Sequence, residues 1–368
     1  MDASSLFHDI ASEVLDFIAQ TVAPRGGSSA GRFNELALKL FSLQFRQVPI
    51  YRQFCLGRQI GPGRVESWQE IPAMPTSAFK EYEVTSLAPE ERAHVFYSSG
   101  TSGQARSRHF HDGESLGVYE ASLWPWFARH FIGESRCLDM LFLTPAAGAA
   151  PESSLAHMFE TVRQRWQGGK GIVLGGVQAD GSWVLDLEGS GRAMEECVGK
   201  GRAAALLGPA FALVHLLDYY QAKGLRFALP AGSRVMETGG YKGRSRALAK
   251  EELHRQIRQG LGIERIVVEY GMSELSSQAY CGAGGGDGGA GVFRFPPWAP
   301  IRVVSAETGA EVEEGETGVL RVFDLANVRS VMAIETEDLV VRRKDGFEYV
   351  GRAADAQPRG CSLAVEDF

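Results

Sequence analysis

The sequence predicts an α/β fold: a large domain of helix-covered, mainly parallel sheets, followed by a small antiparallel β part. Two patterns carry this expectation. Between residues 138 and 271, short apolar runs at 138–143, 171–175, 234–238 and 266–270 alternate with helical stretches, and 203–220 reads as strand, turn and helix. Strands alternating with helices imply crossover connections and parallel pairing. After Phe293 the pattern shifts to alternating strands at 301–304, 318–323 and 331–334, broken by Gly and Asn turns. These read as antiparallel strands in a small sheet or barrel.

Bulk composition frames the function. The chain has 368 residues, 44% hydrophobic and 23% charged, and a net charge of −7, as in an ordinary soluble globular protein with ample core. Without a basic stripe, nucleic acid is excluded as the principal partner. No apolar run is long enough for a membrane span, and Met1-Asp2-Ala3-Ser4 lacks the features of a signal peptide, so a cytoplasmic location is expected. The cysteines, Cys55, Cys137, Cys197, Cys281 and Cys361, are scattered and form no CxxC pair. They are expected to be free thiols.

From the start, Leu6, Ile10, Val14 and Phe17 recur at helical spacing over 5–21. A second helix is expected over 34–55, with Asn34 as its cap, Leu36, Leu40 and Leu43 on one face and a break at Pro49. Gly27 to Gly31 matches a Gly-X-Ser-X-Gly elbow, but no strand precedes it, so Ser29 reads as loop. Residues 71–75 form a stiff, proline-bearing connector to Phe79 and Lys80. The stretch 113–129 reads as an aromatic helix ending at Pro125, and 151–158 as a helix start with His157 near its beginning. Trp124, Trp126, Phe127 and Phe131 could line an acyl pocket or be plain core.

The densest chemistry lies in 96–110. An apolar lead-in, Val95-Phe96-Tyr97, is followed by Ser98, Ser99, Gly100, Thr101, Ser102 and Gly103, then Arg106 and Arg108. Backbone N–H groups, hydroxyls and guanidinium charge in one small-residue turn suit a phosphate, although a Ser/Gly surface turn has the same composition. A Walker loop is absent. His109 and His111 form an HxH pair with no third ligand cluster in sequence, and a solvated strand is expected. Further on, 234–238 ends in Gly239-Gly240, and the apolar run 266–270 feeds Tyr270-Gly271-Met272-Ser273-Glu274. The glycine-rich 282–291 matches Gly-X-Gly-X-X-Gly at Gly284, Gly286 and Gly289, but without flanking strand and helix it reads as a loop.

Tyr97 to Arg106 resembles the signature loop of the adenylate-forming superfamily of acyl and aryl synthetases, Tyr-Thr-Ser-Gly-Thr-Thr-Gly-X-Pro-Lys. Ala105 replaces the Pro and Arg106 the Lys. Tyr270-Gly271-Met272-Ser273-Glu274 resembles that superfamily's Tyr-Gly-X-Thr-Glu motif. Thr336-Glu337-Asp338 resembles its Thr-Gly-Asp, and Gly351-Arg352-Ala-Ala-Asp355 its Gly-Arg-X-X-Asp. The layout of 33–37, 71–80 and the signature loop resembles the LuxE acyl-protein synthetase family, over most of the chain.

That resemblance implies ATP and Mg2+ as cofactors and a fatty acid as substrate. Ser98, Ser99, Gly100, Thr101, Ser102, Gly103 and Arg106 would hold phosphate, with Gly239 and Gly240 against the adenine. Tyr270, Gly271 and Ser273 would adjoin the α-phosphate, Glu274 would hold magnesium, and Asp338 and Arg352 would lie at the ribose. His157 would lie beside the acyl carboxylate. It further implies one acyl-adenylating domain over 1–350, helical to about 90 and β-rich from about 293 to 350, without a lid domain. The tail 351–368 carries Cys361, which would accept the acyl group as a thioester for a LuxC-like acyl reductase. Release of the acyl group to a carrier protein, CoA or an amine, or a non-catalytic nucleotide-binding module, remain open alternatives.

Overall fold

The computed structural model describes residues 3–22, 30–98, 105–239, 248–282 and 291–353. Helix α1 (Ala3–Val22) buries Phe7, Ile10, Val14 and Phe17 along one stripe, the spacing of an amphipathic helix. Helix α2 (Ala30–Gln47) buries Phe33, Leu36, Leu40 and Phe41, and α3 (Pro49–Gly57) starts on Pro49, where a missing N–H is harmless. Asn34 is therefore inside α2, contrary to its expected role as a cap. Its amide instead donates to Glu66 O and accepts from Trp68 N at 2.8 Å, bracing the following loop. The Ser29 elbow lies outside the described residues.

Strand β1 (Met74–Pro75) and the short helix α4 (Ala78–Glu81) lead to the hairpin of β2 (His94–Tyr97) and β3 (Arg108–His111). Helix α5 (Gly113–Phe127) is capped by Asp112, whose carboxylate accepts from Ser115 N at 2.7 Å. Pro125 does not end this helix as expected. The coil continues to Phe127, widens into a π-turn over Ala128–Ile132 and closes at Gly133 with φ +60°.

The central sheet contains β4 (Asp139–Phe142), β5 (Gly171–Val173), β8 (Ala204–Pro209), β9 (Arg234–Thr238), β10 (Arg265–Tyr270) and β11 (Ala279–Gly282). A small hairpin, β6 (Gly175–Val177) with β7 (Trp183–Leu185), sits beside it. The order is β11-β10-β9-β8-β4-β5, with every neighbouring pair parallel except β10 with β11. Helices α6 (Ser154–Arg165), α7 (Leu187–Gly199), α8 (Ala210–Ala222) and α9 (Lys250–Leu261) supply crossovers. Period-two alternation splits the strand residues between two cores. Phe142, Leu207, Met236 and Val267 face one with α5 and α6; Leu141, Leu206, Val235 and Ile266 face the other with α8 and α9. The mainly parallel, helix-covered sheet is as the sequence predicts.

The second sheet is formed by β12 (Val292–Phe293), β13 (Ile301–Val304), β14 (Thr317–Phe323), β15 (Ala333–Arg343) and β16 (Gly346–Arg352), in the order β12-β16-β15-β14-β13. All these pairs are antiparallel. This sheet is not made from the C-terminal part alone, because β1 joins β15 in parallel with Met74 opposite Ile334. The two-residue strand lies in the proline connector, whose stiffness the sequence showed but whose partner it did not.

Candidate active site

The hydroxyl-rich turn hangs from a clamped hairpin. Ser98 N donates to Ser107 O at 3.0 Å, and Ser107 N returns a bond to Ser98 Oγ at 2.9 Å. Ser98 thus closes the base of the turn. Arg106 folds back on the same hairpin: its Nε donates to Ser98 O at 2.7 Å, its Nη1 pairs with Glu152 at 3.1 Å, and its guanidinium covers the Tyr97 ring at 4.7 Å. The guanidinium fork donates, pairs and stacks at once, a combination a point charge does not offer. Ser99, Gly100, Thr101, Ser102 and Gly103 lie outside the described residues, as do Gly240 and Cys361.

The histidine pair is buried, against the expectation of a solvated strand: His109 is 2% and His111 1% exposed. His109 packs against Phe79 of α4 and the loops bearing Ser273 and Ser330, and His111 against Phe96 and against Tyr119 of α5. His109 ties the hairpin to the Tyr-Gly-X-Ser-Glu turn, with Nδ1 2.8 Å from Ser273 O and Nε2 3.0 Å from Ser330 Oγ. A carbonyl oxygen only accepts, so Nδ1 carries the proton and Nε2 accepts from the Ser330 hydroxyl. Burial pushes this imidazole down to about 4, matching a neutral ring with both nitrogens engaged.

Strand β10 ends in that turn. Ser273 Oγ donates to Glu274 Oε2 at 3.0 Å, and both residues are buried. Among the described residues no cation pairs with the Glu274 carboxylate. The turn is held from behind by a polar hub. Asp324 accepts from Ser276 N, Ser277 N, Ala326 N and Ser277 Oγ, and Asn327 accepts from Ser276 N and donates to Glu274 O at 2.9 Å. Gln44 of α2 completes it, donating to Asn327 O at 2.7 Å and accepting from Met332 N at 3.0 Å. Burial raises the Asp324 carboxyl to about 6 even against these donors.

Tyr270 links the sheets. Its hydroxyl donates to Asp338 Oδ2 at 2.6 Å, while its ring is packed by Phe293, Phe295 and Phe347. Burial raises the Asp338 carboxyl, and Tyr270 and Arg352 act against that rise. Asp338 and Arg352 are direct cross-strand partners with Nε 3.8 Å from Oδ1, and Arg352 is otherwise largely exposed. Glu337, which stands where the superfamily motif has Gly, lies between Lys80 at 3.9 Å and Arg352 at 3.8 Å.

Gly239 follows β9 at the carboxyl end of the sheet, beside the end of β10, where α/β sheets place ligands. His157 of α6 is set further back, among Phe96, Tyr119 and His94, with Nε2 3.2 Å from Glu120 Oε1. The aromatic candidates divide: Phe127 and Phe131 are core, while the Trp126 indole donates to Arg294 O at 3.1 Å. No group of three or more His, Cys, Asp or Glu side chains among the described residues is arranged for a metal, and Cys55, Cys137, Cys197 and Cys281 are free.

Several residues of the site went unread in sequence. Asp324, Asn327 and Ser330 sit in what reads only as a turn, and their roles depend on contacts about fifty residues or more away. Glu269 carries a signal in sequence, a carboxylate near the end of an apolar strand next to Tyr270.

Known proteins share the sequence and the fold of this chain. Residues 177–368 match the family model described as acyl-protein synthetase, LuxE. The long-chain-fatty-acid–luciferin-component ligase of Vibrio harveyi is 23% identical over 329 residues, 86% of this chain and 82% of that protein. Its counterpart from Aliivibrio fischeri is 20% identical, covering 90% and 87%. Among solved structures, a 2-hydroxyisobutyryl-CoA ligase superposes with a TM-score of 0.64 at 14% identity, over 89% of this chain and 71% of that one. ATP-bound MatB from Rhodopseudomonas palustris gives 0.51 at 17% identity, over 73% and 50%. The fold is that of the adenylate-forming ligases, and by sequence the chain belongs to the LuxE acyl-protein synthetase family.

Proposed function

We propose that this ligase activates a fatty acid with ATP and passes the acyl group to the thiol of Cys361. The observation that carries the reading is the His109 bridge. Through it the signature hairpin, the Ser273–Glu274 turn and, by way of Tyr270, the Asp338–Arg352 pair become one connected site.

In the first step a carboxylate oxygen of the fatty acid attacks the α-phosphorus of ATP, the bond to the pyrophosphate oxygen breaks, and acyl-adenylate remains. The hairpin hydroxyls and N–H groups with Arg106 hold phosphate. Ser273 contacts the α-phosphate, Gly239 and Gly240 lie against the base, and Asp338 accepts from ribose hydroxyls. Glu274 fits a magnesium ion, being a buried hard-oxygen ligand without a described cationic partner, with phosphate oxygens and water completing the shell. Bound there, magnesium would neutralise phosphate charge as pyrophosphate leaves. His157, beside Phe96 of the hairpin, would lie by the acyl carboxylate.

In the second step the Cys361 thiolate attacks the acyl carbonyl and AMP departs, leaving a thioester for an acyl reductase partner. Nine residues beyond Arg352 give an extended reach of about 30 Å. ATP–pyrophosphate exchange dependent on fatty acid tests the first step, and Glu274→Gln should reduce it by roughly 100-fold. For the second, Cys361→Ser should retain exchange but lose hydroxylamine-sensitive labelling by radioactive fatty acid and ATP. Labelling that survives in the variant would reassign the acceptor.

A further inference from the structure

Three neighbouring strands place one polar side chain each in a single row. Thr238 of β9 is directly opposite Glu269 of β10, and Glu269 is directly opposite Tyr280 of β11. Paired residues project from the same face of a sheet, here the face covered by α5 that also carries Met236 and Val267. Thr238 is 5% and Tyr280 1% exposed, yet among the described residues neither Thr238 Oγ1 nor the Tyr280 hydroxyl has a hydrogen-bond partner. The Glu269 carboxyl makes no hydrogen bond or ion pair among the described residues, although Glu269 keeps some accessible surface.

Two buried hydroxyls without partners, flanking a part-exposed carboxyl in register, are not a packing accident of one residue, because buried hydroxyls are normally paired. A cross-strand row of Val or Leu would have avoided the cost. The position ties the row to the site. Thr238 immediately precedes Gly239, and a Cβ on Gly271 would collide with Glu269 Oε1, so the carboxyl is turned toward the strand end that leads to Ser273 and Glu274. Tyr119 of α5 approaches from above, its hydroxyl only 3.5 Å from Gln278 Nε2 and from Ser154 O, distances too long to satisfy it well. Dehydration pushes the Glu269 carboxyl up to about 8, and its charge bears on both Tyr119 and Tyr280. Near neutral pH it is therefore largely protonated, able to donate as well as accept.

We propose that Thr238, Glu269 and Tyr280 form a hydrogen-bonding wall of the acyl pocket that selects fatty acids bearing a chain hydroxyl over plain alkyl acids. This rests on the adenylating reading above. A methylene chain laid on the row would keep the two hydroxyls unpaired and cover the Glu269 carboxyl as well, whereas a substrate hydroxyl can donate to one group and accept from another. Sites built to bind a hydroxyl reject the analogue lacking it far more strongly than apolar pockets discriminate methylenes.

The test compares kcat/KM in fatty-acid-dependent ATP–pyrophosphate exchange for dodecanoate and its 2-hydroxy and 3-hydroxy derivatives. Wild type, Tyr280→Phe, Thr238→Val and the volume-preserving Glu269→Gln are assayed in parallel, with thermal melts verifying folding. At least one hydroxy acid should exceed dodecanoate by roughly tenfold or more, and that ratio should fall to within about threefold of unity in at least one folded variant. A wild-type preference for dodecanoate, or a hydroxy preference unchanged in every folded variant, would overturn the wall while leaving adenylation standing. Exchange with none of the acids would overturn both.

Discussion

The Tyr270 hydroxyl lies 2.6 Å from Asp338 Oδ2, joining the end of a central parallel strand to the middle of the longest antiparallel one. The bond holds a mostly buried carboxylate in place, so Tyr270→Phe should cost about 1.5–3 kcal/mol of stability. It should also raise KM for ATP in pyrophosphate exchange, because Asp338 loses its orientation toward the ribose. Urea denaturation and ATP titration of exchange read the two effects separately.

His109 makes the protein sensitive to acid. Its folded pKa of about 4 lies below the ordinary 6.5, so the unfolded chain binds more protons between these values, and stability falls as pH drops through that window. For this residue the loss at pH 5 is about 2 kcal/mol. His109→Gln should be destabilised by about 2–4 kcal/mol at pH 7.5 through loss of buried bonds to Ser273 and Ser330. Its deficit against wild type should shrink at pH 5, measured by denaturation midpoints at both pH values.

Glu269 acts with the opposite sign. Its folded pKa of about 8 exceeds the ordinary 4.5, so the folded state binds the extra proton and stability declines as pH rises from 4.5 to 8, by at most about 1.4 kcal/mol per pH unit. Glu269→Gln should flatten this decline. Comparing the two proteins between pH 6.5 and 8.5 isolates the effect from His109 and from Asp324, which titrate lower.

The Asp324 hub predicts a large stability loss. Asp324→Ala would strand the N–H groups of Ser277 and Ala326 in the interior, while Ser276 N keeps its bond to Asn327, costing about 3 kcal/mol. Gln44→Ala, remote in sequence, should cost about 1–3 kcal/mol and also lower exchange, since Gln44 supports Asn327 and Asn327 supports the Glu274 backbone. Melting temperatures and exchange rates check both.

Legibility followed the range of the forces involved. The central strands were readable because a strand buried on both faces must be apolar throughout, as in 204–207 and 235–236. The stretches around Ser98, Ser273, Glu274 and Asp338 stand out in the sequence because they resemble short superfamily motifs, and the roles of these residues belong to the proposal. What escaped depends on distant partners. Burial of His109 and His111 comes from α4, α5 and the loops of Ser273 and Ser330 closing over them, and no local pattern reveals it. Pro125 misled because the helix absorbed it in a wider turn, and Asn34 because its partners, Glu66 and Trp68, lie a loop away. The row of Thr238, Glu269 and Tyr280 exists only once three strands are in register.

The pairing of β1 with β15, and of β8 with β4, has a consequence for dividing this protein. A polypeptide beginning near residue 177 would retain the better part of both sheets yet strip the outer neighbours from β8 and one companion from β15. Bare parallel edges rich in Ala, Leu and Val recruit strands from other molecules. Such a fragment would clump rather than work, and any split or fusion of the molecule has to keep β1, β4 and β5 in reach of the rest.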